Sequence, residues 1–258
     1  MRRMLATWVV LAIASTLVAC AGGDDDAPTG DGSGLAGSIT VFAAASLTDA
    51  FAEVADAFGA TNPGVSVTFN FAGSSSLREQ ILEGAPADVF ASANQSNMDQ
   101  VVEAGEVEEV GTFVTNSLQI VVPAGNPAGI TGLDDFARSE LLIGLCAEEV
   151  PCGDFGRQAL AAAGVTPAPD TNEVDVRALL TKVEAGELDA GIVYVTDVVT
   201  AGERVEGIEI PDELNVDAAY PIGTVTASGN AAAARAFVAF VRSDEGQAIL
   251  GEYGFGRP

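Results

Sequence analysis

Residues 39–51, ITVFAAASLTDAF, decide the fold. An apolar run breaks into three alanines and a serine follows. Phe51, Val54, Ala55 and Phe58 then recur at i, i+3, i+4 and i+7, the spacing of one helix face. A strand therefore delivers the small hydroxyl of Ser46 to the first turn of a helix. Two roles suit it. Ser46-Leu47-Thr48-Asp49 has the form of a capping box, a serine with an acidic residue three positions on. A helix N-terminus also offers N–H groups without partners and a partial positive charge, which suit an anionic ligand. This segment alone leaves both roles open.

Working outward, strand and helix patterns alternate along the chain. Residues 39–43, 87–91, 118–122, 141–145 and 191–195 read as strands, and Val65, Val67, Phe69 and Phe71 alternate with polar residues as a half-buried strand does. Helical patterns cover 47–59, 77–83, 95–104, 133–139, 153–163, 197–201, 230–242 and 244–252. Val176, Leu179, Leu180 and Val183 form a further apolar stripe, with Asp175 as its N-cap. This is an α/β pattern. Several strands end in small or polar residues at the start of a helix: AAAS at 43–46, AGSSS at 72–76 and YVTD at 194–197. Taken singly, each has a structural explanation. Ser76-Leu77-Arg78-Glu79 is another capping box, and Tyr194 suits a core aromatic with its hydroxyl at the surface. Together they lie where open α/β sheets bind ligands, beyond the carboxyl ends of the strands. They supply hydroxyl and N–H donors and no obvious carboxylate acceptor. Such a site suits an anion without a proton, such as sulfate, molybdate or tungstate, better than phosphate, which keeps one near neutral pH.

The start of the chain reads as a secretory signal over residues 1–19, with Arg2 and Arg3 ahead of a short apolar core. Leu17-Val18-Ala19-Cys20 resembles a lipobox, in which Cys20 carries the lipid, and 20–37 reads as a flexible tether. Removal of the signal leaves 9 Lys+Arg against 37 Asp+Glu, a net charge of −28, which argues against nucleic-acid binding. Exposed charges are screened beyond about 8 Å, so local dipoles would govern an anion pocket. The absence of histidine removes Ser-His-Asp and Cys-His catalysis and every imidazole zinc site. Lys182, the single lysine, is the one base left for a Ser-Lys hydrolase, and LLTKVEAGE reads as the polar face of a helix. Cys146 and Cys152 enclose five residues. Outside the cytoplasm a disulfide is the natural reading. Free thiols or a metal site are the alternatives, the metal being disfavoured without histidine or a further thiol nearby.

ITVFAAASLTDAF, FNFAGSSSLREQI, EGAPADVFASAN, the VPCG turn, DVRALLTKVEAGELDAGIVYVTD and the closing EYGF together resemble the molybdate-binding proteins of bacterial ABC importers. The resemblance runs from about residue 38 to the end. It implies a periplasmic-binding-protein fold of type II, two α/β lobes with a ligand cleft between them, and no enzymatic reaction. Lobe one would be 38–118 plus 223–258 and lobe two 119–222, with crossings near 116–122 and 219–224. The resemblance further implies that Ser46, Ser74 and Tyr194 donate through side chains and Cys152 and Val176 through backbone N–H groups. Ser75 is the alternative to Ser74. The metal is bound only as molybdate, through these same five residues, and no cofactor is implied. Cys152 stands where the family often has a small residue such as alanine, a tolerable change where the backbone is the ligand. A Cys146–Cys152 disulfide would stiffen that edge of the cleft.

The expected function is thus an extracytoplasmic lipoprotein, monomeric and lipid-anchored at the outer face of the membrane. It would capture molybdate or tungstate for an ABC importer permease, closure of the lobes being the signal. A sulfate or thiosulfate receptor is the near alternative. A serine hydrolase fails on the missing histidine, and a surface interaction protein leaves the ordered site motifs unexplained.

Overall fold

The computed structural model describes residues 34–258. The signal segment, Cys20 and the tether as far as residue 33 lie outside the described residues. The tether's last expected residue, Gly37, already belongs to the first strand.

In chain order the elements are β1 (Gly37–Ala44), α1 (Thr48–Thr61), β2 (Val65–Ala72), α2 (Ser74–Leu82), β3 (Val89–Ala91), α3 (Gln95–Glu103) and β4 (Val107–Asn116). Then come β5 (Leu118–Pro123), β6 (Ile143–Cys146), α4 (Pro151–Ala162), β7 (Thr171–Glu173), α5 (Val176–Glu184), β8 (Ala190–Tyr194), α6 (Val195–Ala201) and β9 (Val205–Glu209). The chain closes with β10 (Ala218–Val225), α7 (Ala231–Val241) and α8 (Asp244–Glu252). The strands form two five-stranded sheets, β2-β1-β3-β10-β4 and β7-β6-β8-β5-β9. Strands joined through helices pair in parallel, β1 with β2 and β3, and β6 with β7 and β8. In each sheet one inner strand, β10 or β5, runs antiparallel to both neighbours.

The apolar periodicities are spent as expected. Phe51, Val54 and Phe58 on α1 are buried, and Phe51 and Phe58 both meet Phe237 of α7 edge-on, at ring-centroid distances of 6.1 and 5.4 Å. Val176, Leu179, Leu180 and Val183 bury the α5 stripe. Asp175 caps α5 as expected, accepting from Ala178 N–H at 2.9 Å.

Two expected capping boxes do not form. A 3₁₀ turn at Ala45–Leu47 precedes α1, whose N-cap is Leu47 without a side-chain cap bond. The α2 helix begins at Ser74 with Gly73 as N-cap, so Ser76 sits inside its first turn. The chain crosses between sheets at Ser117 and again over 210–217. The second crossing comes earlier than 219–224, because those residues lie inside β10 and belong to the first sheet. Pro221 disguises that strand. Proline lacks a ladder donor and ordinarily marks an edge or a bulge, and the β10–β4 register indeed shifts between Tyr220 and Pro221.

Cys146 and Cys152 form a disulfide with Cα atoms 5.8 Å apart, tying the end of β6 to the first turn of α4. A cross-link closing so small a loop is worth about 2 kcal/mol in the chain-entropy model. Reduction should therefore lower the calorimetric midpoint by roughly 4–8 °C. An unchanged midpoint would show that packing alone holds this turn.

Candidate functional site

The five residues singled out by sequence converge. Ser46, Ser74, Cys152, Val176 and Tyr194 line one cavity of about 200 Å³, its solvent-filled mouth included, together with Ala44, Gly73, Val150, Pro151 and Asp175. That is smaller than the pockets that hold drug-sized ligands. Each residue arrives at the start of a helix or 3₁₀ turn, where backbone N–H groups lack intrahelical partners. In α4, Pro151 has no N–H, and the N–H groups of Gly153 and Asp154 both return to Val150 O at 2.8 and 3.0 Å. The Cys152 N–H is left for the cavity. Ser74, rather than Ser75, is the serine at the cavity wall.

The side chains are set as donors. Ser74 Oγ accepts from Ala93 N–H at 3.0 Å, so its own proton is available to the cavity. Ser46 Oγ lies 2.9 Å from the Tyr220 hydroxyl. It is this tyrosine, and not the α1 backbone, that occupies the serine oxygen. The Tyr194 hydroxyl is buried and has no hydrogen-bond partner among the described residues. Burial raises its pKa well above the ordinary phenol value, and neighbouring Tyr220 and Asp197 add to the rise, so it stays protonated and able to donate. The one acid in the lining, Asp175, accepts from Ala178 N–H through Oδ1 as the cap of α5. Among the described residues no group of three or more His, Cys, Asp or Glu is placed to hold a metal ion, and no helix is long and apolar enough to cross a membrane.

Arg177 stands behind the site. Its guanidinium donates to Asp49 of α1 and lies 3.2 Å from Asp197 of α6. It thus ties the helices of one sheet to those of the other. Asp197 is fully buried and accepts from Tyr194 N–H at 3.1 Å. Burial raises its pKa to about 6 against the opposing pull of Arg177. Close by, a Cβ on Gly73 would lie 2.7 Å from Val174 O, so glycine lets the start of α2 meet the β7–α5 loop across the cavity.

Sequence reasoning missed Tyr220, Asn116 and Arg177. Tyr220 and Asn116 sit on β10 and at the end of β4, which carried no clear strand signal. Arg177 was readable: a cation at the second position of α5, beside the expected ligand Val176.

Comparison with known proteins agrees with this geometry. Residues 39–256 match the family described as bacterial extracellular solute-binding protein. The chain is 41% identical over 257 residues to the molybdate-binding protein ModA of Mycobacterium tuberculosis, covering 98% of each chain. It is 35% identical over 230 residues to ModA of Escherichia coli, covering 85% of this chain and 89% of that one. The periplasmic molybdate-binding protein of Azotobacter vinelandii superposes with a TM-score of 0.73 at 19% identity, over 85% of this chain and 99% of the other. With the two-sheet topology, that superposition bears out the expected periplasmic-binding-protein fold. These relatives bind solutes and are not enzymes. The chain belongs to the bacterial extracellular solute-binding protein family.

Proposed function

We propose that the protein is the molybdate receptor of an ABC importer, binding MoO₄²⁻, and WO₄²⁻ in the same way, in the cavity between the two sheets. The observation that carries this reading is the convergence of five donors, from Ser46, Ser74, Cys152, Val176 and Tyr194, on one small cavity whose single carboxylate has an oxygen engaged in capping α5. Helix N-termini supply positive potential without a cation in the lining. Closing the two halves over the ligand removes water, which strengthens each donor, and presents the permease with a distinct closed shape. The relatives named for molybdate support the choice among oxyanions. The family's extracellular placement fits an outer-face location, and a lipid on Cys20 would tether a monomeric receptor beside its permease.

Calorimetric titration of residues 37–258 with molybdate, tungstate, sulfate and phosphate tests this. One-to-one binding of the first two, with sulfate far weaker, is expected. Ser46→Ala and Tyr194→Phe should each weaken molybdate roughly 10- to 100-fold, since a hydrogen bond to a charged group is worth about 1.5–3 kcal/mol. Heat from sulfate alone would move the substrate, and no heat from any of the four would end the receptor reading.

A further inference from the structure

We infer that Tyr220 and Asn116, which do not line the cavity, force the Ser46 hydroxyl to act as a donor and so make the site reject tetrahedral anions that carry a proton. The inference rests on the oxyanion-receptor reading and extends it to a positioning pair. The two serines of the cavity differ in what stands behind them. Behind Ser74 is a backbone N–H, that of Ala93, which can only donate. Behind Ser46 is a phenol, which can donate or accept. Left to itself, the Tyr220–Ser46 contact has two polarities. In one, Tyr220 donates and the serine proton points to the cavity. In the other, the serine donates to Tyr220 and turns a lone pair on the ligand.

Asn116 selects the first. Its Oδ1 accepts from Ser117 N–H at 3.0 Å, which fixes the amide orientation. Its Nδ2 therefore faces Thr196 Oγ1 at 2.9 Å and the Tyr220 hydroxyl at 3.4 Å. An amide nitrogen only donates. The Tyr220 oxygen receives that N–H, its proton goes to Ser46 Oγ, and the serine proton has the cavity left. Tyr220, Asn116 and Thr196 are all buried, so water does not offer another partner. Burial also raises the Tyr220 pKa above the ordinary phenol value, which keeps the donating proton in place. A fully deprotonated dianion accepts every hydrogen bond such a site offers. A singly protonated dianion of equal charge brings a proton that meets another donor.

The test compares molybdate with hydrogen arsenate at mildly alkaline pH, where both are tetrahedral dianions and only the second carries a proton. Wild type, Tyr220→Phe and Asn116→Asp are titrated with each. Asn116→Asp replaces a donor by an acceptor of the same shape, so Tyr220 turns to it and accepts from Ser46. The preference for molybdate over arsenate should then fall by about 10-fold or more. Tyr220→Phe only releases the serine and should reduce the preference by about 3-fold; it keeps the proposal testable should the buried aspartate prevent folding. In a Ser46→Ala background Tyr220→Phe should change the preference no further. Equal weakening of both anions would mean a merely structural role and would overturn the inference, as would an unchanged preference. Wild-type protein that binds neither anion would instead overturn the receptor reading and this inference with it.

Discussion

Arg177→Met should cost about 3–5 kcal/mol of stability at mildly alkaline pH, because it strands the buried Asp197 carboxylate without its cation. A midpoint lowered by roughly 10 °C is the corresponding calorimetric reading. The loss should shrink on acidification. Asp197 already titrates near 6 in the folded protein, above the carboxylate value of 3.8, because burial outweighs Arg177. A carboxylate whose folded pKa is raised contributes stability at low pH that is lost as pH rises through that pKa. Wild type should lose this contribution as pH rises through about 6. Without Arg177 the pKa climbs further, and the loss deepens and extends to higher pH. Below about pH 5 both proteins carry a neutral Asp197 and should melt close together. The exposed half of the bridge, to Asp49, adds little of its own. Arg177→Met combined with Asp197→Asn should recover most of the stability. A deficit equal at both ends of the pH range, or no recovery in the double variant, would show that Arg177 acts through packing rather than charge.

Gly153→Ala should be the more damaging change for ligand binding. A Cβ at Gly153 would fall 1.9 Å from Ala147 O and 2.6 Å from Cys146 O. Both obstacles are backbone, and the disulfide holds the second in place. The first turn of α4 must move outward, carrying the Cys152 N–H with it. Overpacking of this kind costs about 1–3 kcal/mol. A misplaced donor should weaken molybdate by a further 10-fold or more, given about 1.5–3 kcal/mol for a bond to a charged group. Gly156→Ala is the matched control. Its Cβ would meet Ile192 Cγ2 at 3.5 Å, an ordinary contact, and glycine to alanine in a helix interior gains up to about 1 kcal/mol. If both variants bind molybdate as wild type does, the α4 start is not a ligand-holding element.

These expectations show where the sequence was readable. Elements with one clean period were: the α5 stripe with its Asp175 cap, the α1 face and the alternation of β2. Of the five expected residues that line the cavity, Ser46, Ser74 and Tyr194 were readable because they stand at strand-to-helix junctions. Val176 and Cys152 came instead from the family resemblance. The missed strands lacked a period for physical reasons. The β4 segment VEEVGTFVTN lies at a sheet edge, and Glu109 takes a left-handed conformation (φ 57°) that breaks its alternation. The β10 segment AAYPIGTV carries a proline and is buried along nearly its whole length, so no polar face shows. Because β10 was hidden, so was Tyr220. The two failed capping boxes teach a related point. Ser46 and Ser76 have the right spacing, but the 3₁₀ turn and the earlier start of α2 move the true N-caps to Leu47 and Gly73.

The place of β10 also governs the order in which the molecule can be assembled. All five strands of the second sheet come from one uninterrupted segment, 118–209, so that half can organise as soon as it has been translocated. The first sheet cannot. Its strand β4 pairs along its length with β10, with one further bridge from Thr115 to Gly256, and β10 arrives about a hundred residues later to fill the gap between β3 and β4. Until then β3 and β4 both present open edges, which are templates for pairing with other chains. Such long-range closure is intrinsically slow. A late stretch of chain therefore completes the earliest sheet. It also delivers Tyr220 behind Ser46, so a chain arrested before β10 would hold a finished second half and a Ser46 without its phenol partner.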